Sequence, residues 1–427
     1  MQIKAPRGTY DILPEQSIKW QWMEKIIKDT AGQFGYQEIR TPVFEHTELF
    51  ERGVGETSDI VSKEMYTFQD KAGRSITLRP EATASCVRAF IEHGLYNGLL
   101  PVKWYYSGPM FRYDRPQTGR FRQFHQFGVE VFGSDNSLLD AEVIILMMEI
   151  FKGLGIKEPE LHINSVGCPS CRPGHRQELI DYLTPLKDKL CKDCQQRYMT
   201  NPLRVLDCKN QSCHQTITGH PTIADSLCPA CTRHYEQVRE ALSENGVAYI
   251  HDNNLVRGLD YYTNTAFEVH IPGLGAQSAI GGGGRYNGLV KECGGPDVPG
   301  IGFALGMERI LLAMEASGRL IERSAALDVF IITMDDKFSR HALQLTNKIR
   351  QSGISADMDY NHRSPRAQMK FADKSNAKVV IMIGEEETEK GFYLVRNMQS
   401  REQYQIDQED FIAKLQTILL KNEEEIG

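Results

Sequence analysis

The chain has 427 residues, 49 of them basic and 56 acidic, which gives a formal net charge of −7. Its 41% hydrophobic and 25% charged residues are typical of a folded globular protein and exclude a collagen-like, coiled-coil or wholly disordered chain. The length is too great for one ordinary core and predicts two or three domains. Because the chain is acidic overall, a nucleic acid would have to bind it through a local basic patch.

Several classes of protein are excluded by what the sequence lacks. No apolar run approaches the roughly 20 residues that cross a bilayer, and the segment after Met1 lacks the apolar stretch of a signal peptide. We therefore expect a cytoplasmic protein without a membrane partner. There is also no Gly-x-x-x-x-Gly-Lys-Ser/Thr motif, so a P-loop nucleotide site is excluded. The Gly-x-Ser-x-Gly and His-Glu-x-x-His motifs of two classes of hydrolase are absent as well.

The first three quarters of the chain predict one interrupted domain. Apolar side chains spaced three and four apart predict helices over 15–34 and 138–153, and short strand-like runs alternate with turns between them. The segment 174–245 is polar, cysteine-rich and mostly helical. The strand pattern then returns, and a helix is predicted over 303–316. The pattern indicates a domain over 1–320 that is split by a helical insertion at about 172–250.

The last hundred residues predict a second domain. After a linker at 317–326, a buried strand over 327–333 leads to a helix near 337–351. A short strand at 355–359 and a second helix near 365–375 precede a strand over 378–383. This β-α-β-α-β order indicates a separate α/β domain over 328–427 with a parallel or mixed sheet. The acidic tail is expected to fray.

Eight of the ten cysteines lie between Cys168 and Cys231. Three of their four pairs have two-residue spacing, and paired thiols of this kind in an intracellular chain favour zinc over disulfides. One or two Cys₄ sites fit the spacing, so a structural zinc and a metal-free insertion are both open. The pairs are Cys168 with Cys171, Cys191 with Cys194, Cys208 with Cys213, and Cys228 with Cys231.

Four arginines converge on the segment 111–130. Pro116–Gly119 has the chemistry of a turn between two strands, so the arginines lie on one predicted hairpin. Arginine forks suit phosphate oxygens and can neutralise a leaving pyrophosphate. The alternative is a hairpin with a solvated charged face, because charge runs are usually surface features.

Three further segments carry possible ligand chemistry. Residues 255–262 place an arginine and two tyrosines in an apolar stretch, which could wall a flat pocket or form a core strand. The glycines at 281–284 are followed by Arg285 and Tyr286, which would anchor them. This favours a bare backbone surface against which a ligand packs over a flexible loop. In 300–310 a glycine-rich strand enters a helix whose arginine would point into the same cleft or lie on the surface.

Together these segments resemble the histidyl-tRNA synthetases of bacterial type, a family of class II aminoacyl-tRNA synthetases, over essentially the whole chain. Residues 41–45, 111–130 and 300–310 resemble class II motifs 1, 2 and 3. Residues 257–262 and 281–286 resemble the two signatures peculiar to the histidine enzymes. The histidine-specific pair, in order and at sensible distances, is the specific part of the resemblance.

The resemblance implies an α/β fold of the class II type. An α+β catalytic domain with an antiparallel six-stranded sheet and a helical insertion would precede a C-terminal α/β anticodon-binding domain. It also implies a homodimer built through motif 1. The substrates would be L-histidine, ATP and tRNA(His), and the reaction would form histidyl-adenylate and pyrophosphate before histidine passes to the 3′ end of the tRNA.

The resemblance also assigns roles to the arginines. Arg112 would hold the α-phosphate of ATP and the carboxylate of histidine, while Arg120 and Arg309 would hold the outer phosphates. Arg257 is the expected catalytic arginine, together with Arg112, at a place where related enzymes rely more on a metal. Mg²⁺ is expected to accompany the ATP.

The implied histidine pocket meets both ends of the amino acid. Glu81 and Thr83, with Gln126 beside them, would bind the α-amino group. Both imidazole nitrogens need partners when buried, and Glu130 with Tyr262 or Tyr261 would supply them. Such paired hydrogen bonds reject analogues by about 10⁴ or more, so no editing module is expected. The full set is Glu81, Ala82, Thr83, Gln126, Glu130, Tyr261 and Tyr262.

Two regions would contact tRNA. By resemblance the motif 2 loop meets the acceptor end with its extra 5′ guanosine. The helix after Ser364 would carry basic side chains at four-residue steps on one face, as a phosphate contact or as an ordinary solvated face. The residues concerned are Arg115, Gln117 and Arg122 in the loop, and Arg366, Lys370 and Lys374 on the helix.

Two other functions compete with a synthetase. A regulatory paralogue of the same fold would bind histidine without charging tRNA, but such paralogues usually lack the anticodon domain and parts of the 111–130 and 257–262 signatures. A zinc-ribbon nucleic-acid module with an inactive catalytic remnant is the other, and the intact arginine set counts against it.

Overall fold

The computed structural model describes residues 2–55, 58, 60–206, 208, 210–256, 261–274, 278–319 and 327–424, without side chains for the last four. Two compact units are present: Met1–Ile12 with Lys19–Leu320, and Leu13–Ile18 with Ile321–Gly427. Most of the predicted linker, Arg257 and the end of the acidic tail lie outside the described residues. Within these ranges, no helix combines the length and apolar character needed to cross a membrane.

The elements before the cysteine-rich segment include two helices that the periodicity predicted, α1 and α4. They also include α2 and α3, which fall where only strands and turns were expected. In chain order the elements are α1 (Pro14–Gln33), β1 (Gln37–Glu38), β2 (Phe44–His46), α2 (Thr47–Val54), β3 (Tyr66–Gln69), β4 (Ser75–Leu78), α3 (Thr83–Glu92), β5 (Val102–Phe111), β6 (Gln123–Phe132), α4 (Ser137–Gly153) and β7 (Glu160–Ser165).

The next elements are five helices followed by a return to strands. The helix predicted over 303–316 begins only at residue 307, because residues 300–306 pair with neighbouring strands. The elements are α5 (Arg172–Leu183), α6 (Lys192–Thr200), α7 (Leu203–Leu206), α8 (Gln211–Thr216), α9 (Pro229–Glu244), β8 (Ile250–His251), β9 (Thr263–His270), β10 (Ala279–Arg285), α10 (Leu289–Glu292), β11 (Gly300–Gly306) and α11 (Met307–Ala316).

The predicted six-stranded antiparallel sheet is confirmed as the centre of a larger one. The strand order is β1-β5-β6-β11-β10-β9-β7-β8, and every neighbouring pair from β5 to β7 is antiparallel. The two-residue strands β1 and β8 add to the edges in parallel. A separate three-stranded sheet has the order β2-β4-β3. Since β6, β11 and β10 are adjacent, three motifs that are distant in sequence lie side by side.

The second unit has a mixed sheet, as its element order predicted. The strand order is β13-β12-β14-β15-β16, with β12 parallel to β13 and β14, and β15 antiparallel to its two neighbours. The elements are β12 (Val329–Thr333), α12 (Ser339–Gln351), β13 (Ala356–Met358), α13 (Pro365–Lys374), β14 (Val379–Ile383), α14 (Glu385–Lys390), β15 (Phe392–Asn397), β16 (Gln403–Asp407) and α15 (Phe411–Glu424).

A buried ion pair ties the helices to the large sheet. Arg285 at the end of β10 and Asp140 on α4 are both fully buried and bond to each other. Asp140 also accepts from the Thr265 Oγ1 at 2.6 Å and is 2.9 Å from the Nε2 of His234 on α9. A fully buried pair is tolerated only when its remaining groups are satisfied in this way. Arg285 thus connects the end of the glycine-rich strand β10 to helix α4, which agrees with its expected role as an anchor of the glycine run.

Candidate active site

A cavity of about 530 Å³ in the first unit joins the segments that carried the sequence motifs. Its lining comes from β6, β10 and β11, from the start of α3, and from the loop between β5 and β6. Ala82 is fully buried in the adjoining core and is not part of the lining. The predicted site residues that line the cavity are Glu81, Thr83, Arg112, Arg120, Gln126, Glu130, Tyr261, Tyr262 and Arg309.

One end of the cavity is built around the carboxylate of Glu130, which is only 1% exposed. Its oxygens accept hydrogen bonds from the Thr83 hydroxyl, at 2.7 Å, and from the Tyr286 hydroxyl. Burial raises the pKa of Glu130 to about 8, although these two bonds act in the opposite direction. Gly302 on β11 leaves the room for this carboxylate, because a Cβ there would collide with it.

Glu81 is anchored by the helix that follows it. Its carboxylate accepts from the backbone N–H of Thr83 at 2.7 Å and of Ala84 at 2.9 Å, so it satisfies two of the free donors at the start of α3. Burial raises the pKa of Glu81, and the hydrogen bonds and Arg112 oppose that rise. This local capping explains why a helix follows the Arg-Pro-Glu-Ala sequence.

Aromatic rings wall the same end of the cavity. The ring centroids of Tyr261 and Tyr262 are 4.6 Å apart, and those of Tyr261 and Tyr286 are 5.7 Å apart. Burial raises the pKa of Tyr261 and Tyr286 well above the usual tyrosine value, so both hydroxyls are neutral donors. Gly284 lies against the Tyr262 ring, and a side chain there would displace it.

Gln126 completes this end with an unsatisfied group. Its Oε1 is buried, and no described residue donates a hydrogen bond to it. A buried acceptor without a donor costs about 1–3 kcal/mol. An N–H group of a bound ligand would supply the missing donor, so the atom points to a ligand that carries such a group.

Arg112 lies between this pocket and the other arginines. Its Nε donates to the Pro80 carbonyl oxygen at 2.8 Å, and its guanidinium lies 5.3 Å from the centroid of the Phe124 ring. Burial lowers its pKa, while the charges of Glu64, Glu81 and others oppose the shift. Held by backbone and ring, Arg112 presents a fixed positive charge beside the Glu81 carboxylate.

Arg120 and Arg309 form the positive end of the cavity. The Nη1 of Arg309 donates to the Ala279 carbonyl oxygen at 2.6 Å, and that of Arg120 to Asp114 at 3.0 Å. Burial and then the charges of Arg120 and Arg112 lower the pKa of Arg309. The arginines are therefore close enough to repel one another, as in a site built for a polyanion.

Three side chains at or beside the cavity were given no ligand role by the sequence analysis. Tyr286 was noted only as an anchor of the glycine run, although it lines the cavity and donates to Glu130. Glu308 also lines the cavity, and its carboxylate accepts from the backbone N–H of His125 at 2.9 Å and lies 3.0 Å from its Nδ1. The Tyr10 hydroxyl donates to the same carboxylate at 3.4 Å. Tyr286 and Glu308 lie inside segments that the sequence singled out, but the sequence does not show that their partners are Glu130 and His125.

The predicted tRNA-contact residues lie outside the lining of the cavity. In the loop between β5 and β6, Arg115 and Gln117 are exposed, and the Arg122 guanidinium lies 4.0 Å from the centroid of the Tyr113 ring. In the second unit, α13 has one exposed basic face, while Gln368 on the same helix is buried. The residues on that face are Arg366, Lys370 and Lys374.

The groups that could hold a metal ion are made of cysteine. Four sulfurs lie within 4.8 Å of one another in each of two sets of described residues, the junction cluster and the inner cluster. Neither contributes to the cavity lining. The junction cluster is Cys168, Cys171, Cys228 and Cys231; the inner cluster is Cys191, Cys194, Cys208 and Cys213.

Comparisons with known proteins agree with this geometry. The model of the histidyl-tRNA synthetase family matches residues 8–169 and 214–310, and that of an anticodon binding domain matches residues 328–418. A histidine–tRNA ligase of Syntrophomonas wolfei is 62% identical over 98% of this chain and 99% of its own. A second, from Desulforamulus reducens, is 55% identical over 96% of this chain and 98% of its own.

A solved structure extends the similarity to three dimensions. The apo histidyl-tRNA synthetase of Staphylococcus aureus superposes with a TM-score of 0.83 at 43% identity, covering 97% of this chain and all of its own.

Proposed function

The chain belongs to the histidyl-tRNA synthetase family, and from that premise we propose that its cavity joins L-histidine to ATP and passes histidine to the 3′ end of tRNA(His). The observation that carries the proposal is one cavity with a carboxylate and tyrosine pocket at one end, Arg120 and Arg309 at the other, and Arg112 between them. An amino acid with a ring that donates and accepts suits the first end, and a triphosphate suits the second.

The pocket around Glu130 is proposed to bind the imidazole ring. Each carboxylate oxygen can accept more than one hydrogen bond, so Glu130 can accept from a ring N–H while it keeps Thr83 and Tyr286. Tyr262 or Tyr261 would meet the other nitrogen. Glu81 and the unsatisfied Oε1 of Gln126 would accept from the α-ammonium group.

The arginines are proposed to serve the first step. In it, the histidine carboxylate attacks the α-phosphorus of ATP, and pyrophosphate leaves with the electron pair of the broken P–O bond. Two anions must meet, so fixed positive charge and positioning supply most of the catalysis. Arg112 lies where the carboxylate and α-phosphate would meet, Arg120 and Arg309 would hold the outer phosphates, and Arg257 would complete the set.

The divalent ion is proposed to come with the nucleotide. Among the described residues, the groups able to hold a metal on their own are the two cysteine clusters, and neither includes a carboxylate from the cavity. Mg²⁺ bound to the ATP phosphates would supply charge neutralisation there, beside the phosphate-holding role proposed for Arg120 and Arg309. The cysteines would then have a structural role that is separate from the reaction.

The second step is proposed to use the exposed basic regions. A ribose hydroxyl at the 3′ end of the tRNA attacks the histidyl carbonyl carbon and AMP leaves. Arg115, Gln117 and Arg122 would meet the acceptor end. The unit over 328–427 would bind the anticodon, with a phosphate contact on α13.

The remaining expectations belong to the same proposal. The catalytic domain would comprise residues 1–320 with an insertion at about 172–250, and two copies of the chain would form a homodimer in the cytoplasm. The competing regulatory paralogue is disfavoured by the match of residues 328–418 to an anticodon binding domain, which such paralogues usually lack.

Histidine-dependent exchange of pyrophosphate into ATP tests the proposal. The purified chain should catalyse exchange with histidine, and other amino acids should support it at least about 10⁴-fold less well, because the pocket would leave polar groups unpaired. It should also charge tRNA(His). Exchange that does not depend on histidine would refute the assignment.

A further inference from the structure

The structure shows how the cysteines of the insertion group in space, which their spacing in the sequence left undecided. We propose that the chain binds two structural zinc ions, one in the junction cluster and one in the inner cluster. The inner cluster lies wholly between Cys171 and Cys228 in sequence, so the second site is nested within the loop that the first one closes. The inference is independent of the proposed function, since metal content is measured without any catalytic assay.

The sulfur positions fit tetrahedral coordination. Zinc–sulfur bonds of about 2.3 Å place tetrahedral sulfurs roughly 3.8 Å apart. The sulfurs of Cys168 and Cys171 are 3.5 Å apart, those of Cys191 and Cys208 are 3.8 Å apart, and no sulfur within either cluster is more than 4.8 Å from another. All eight cysteines are free thiols, and disulfides would bring sulfurs to about 2.05 Å.

Backbone donors already face the sulfurs. The N–H of Cys228 donates to the Cys171 sulfur at 3.1 Å, and the N–H of Cys191 donates to the Cys213 sulfur at 3.2 Å. Hydrogen bonds of this kind orient metal ligands and stabilise their charged form. The two clusters share this arrangement, in which a backbone N–H from one pair reaches a sulfur of the other pair.

The burial pattern repeats as well. In each cluster the first cysteine of each pair is half-buried and the second is buried. Cys171, Cys194 and Cys231 lie at the starts of α5, α6 and α9, so three helices begin at the two clusters. Packing alone does not explain why so short a segment contains eight free thiols. Two Cys₄ sites would use all of them.

The inner cluster lies in the insertion's own core. Cys194 and Cys213 belong to a buried group that also contains Leu183, Tyr198 and Leu206. A core of this size stabilises few residues by itself, and small domains commonly need a metal or disulfides. A zinc ion here would hold α6 and α8 together.

The junction cluster lies against the catalytic sheet. Gly167, next to Cys168, accepts at its carbonyl from the N–H of Asn264 at 3.0 Å, and the Cys231 sulfur is 3.9 Å from the Asn264 Oδ1. Asn264 is on β9, two residues after Tyr262 of the pocket wall. This zinc would therefore fix both ends of the insertion and the strand that positions the pocket tyrosines.

Metal analysis of the full chain, purified without an affinity tag and dialysed, tests the proposal. We expect two zinc ions per chain, and two cobalt ions with tetrahedral thiolate absorption after exchange into Co²⁺. Replacing Cys191 and Cys208 by Ser should leave one zinc, and replacing Cys168 and Cys228 by Ser should also leave one. The matched control, Cys293→Ser, lies outside both clusters and should keep two.

Activity separates the two sites. Loss of the junction zinc should raise the KM for histidine in exchange by at least about tenfold. Loss of the inner zinc should change that KM less than about twofold while exposing residues 172–228 to proteolysis. Wild-type chain with fewer than two zinc ions, or with disulfides in place of free thiols, overturns the two-site proposal even if the serine variants fail to fold.

Discussion

The cavity and helix α13 both concentrate positive charge, but they hold it in different ways. In the cavity, Arg112 and Arg309 each donate to a backbone carbonyl oxygen, and burial lowers their pKa values. On α13, Arg366, Lys370 and Lys374 are exposed, and none of their side chains bonds to another residue in the part of the chain that the structure describes.

The difference indicates what each region can do. Charge that is fixed by protein carbonyls in a partly dry site stabilises charge that develops at one place in a reaction. Charge on exposed, mobile side chains is screened by salt, and it suits the backbone of a nucleic acid. Changes in the cavity should therefore alter rates, whereas changes on α13 should alter affinity.

The largest effect is expected for Arg112. Arg112→Lys keeps the charge but loses the planar fork and its bond to Pro80, so histidine-dependent exchange should slow by roughly 10³-fold. Steady-state exchange at saturating histidine and ATP measures this. The control Arg74→Lys changes an exposed ion pair with Asp70 and should leave the rate unchanged. A loss of less than tenfold for Arg112→Lys would show that its position is not critical.

Glu130 should give an intermediate effect. Glu130→Gln puts an amide in place of the carboxyl oxygens that accept from Thr83 and Tyr286 and leaves a buried polar group unpaired, at a cost of about 1–3 kcal/mol, so kcat/KM for histidine should fall roughly 10²-fold in exchange assays. Activity close to that of the wild type would remove Glu130 from the ring-binding site.

The same variant should also remove a loss of folding stability that the wild type suffers as the pH rises. Folding raises the pKa of Glu130 to about 8, so the folded chain holds a proton that the unfolded chain releases near pH 4.5. The contribution of Glu130 to the free energy of unfolding is thus fully present below pH 4.5. It falls by up to about 1.4 kcal/mol per pH unit as the pH rises towards 8. Urea unfolding should show Glu130→Gln gaining on the wild type across this window, and parallel curves would contradict it.

The smallest effect is expected on α13. Replacing Arg366, Lys370 and Lys374 by Gln should raise the KM for tRNA about tenfold and make its salt dependence shallower. Exchange should be unaffected, because it needs no tRNA. Charging assays at several salt concentrations measure this.

A matched variant controls for net charge. Replacing Lys337, Lys390 and Lys414 by Gln removes three exposed lysines of the same unit that are paired with acidic side chains. Its KM for tRNA should change less than twofold. If both triple variants weaken binding equally, general charge and not the α13 face is responsible.

Local patterns predicted much of the fold. The apolar spacing of α1 and α4 is a periodic signal, and the strand before Arg309 is recognised by its glycine-rich composition. Both can be read from residues that are close together along the chain. The pattern missed α3, since that helix depends on Glu81 accepting from the first N–H groups of the helix. It also began α11 four residues early, because residues 300–306 are claimed by pairing with β6 and β10.

The site shows the same division. The arginines, the glycine run and the tyrosine pair were recognisable by residue type and order. Tyr286 and Glu308 were given no ligand role, since each bonds to a partner far away in sequence: Tyr286 to Glu130, and Glu308 to His125. Such partnerships depend on strand register, which a single chain pattern does not contain.

By itself, the sequence determined the family resemblance, the helical periods and the presence of paired thiols, because each is a property of residues close together along the chain. Only the tertiary structure decided that Glu81 and Arg309 share one cavity and that Cys171 groups with Cys228 while Cys194 groups with Cys208. The physical reason is that pairing between distant segments is set by sheet register and by packing of the whole core.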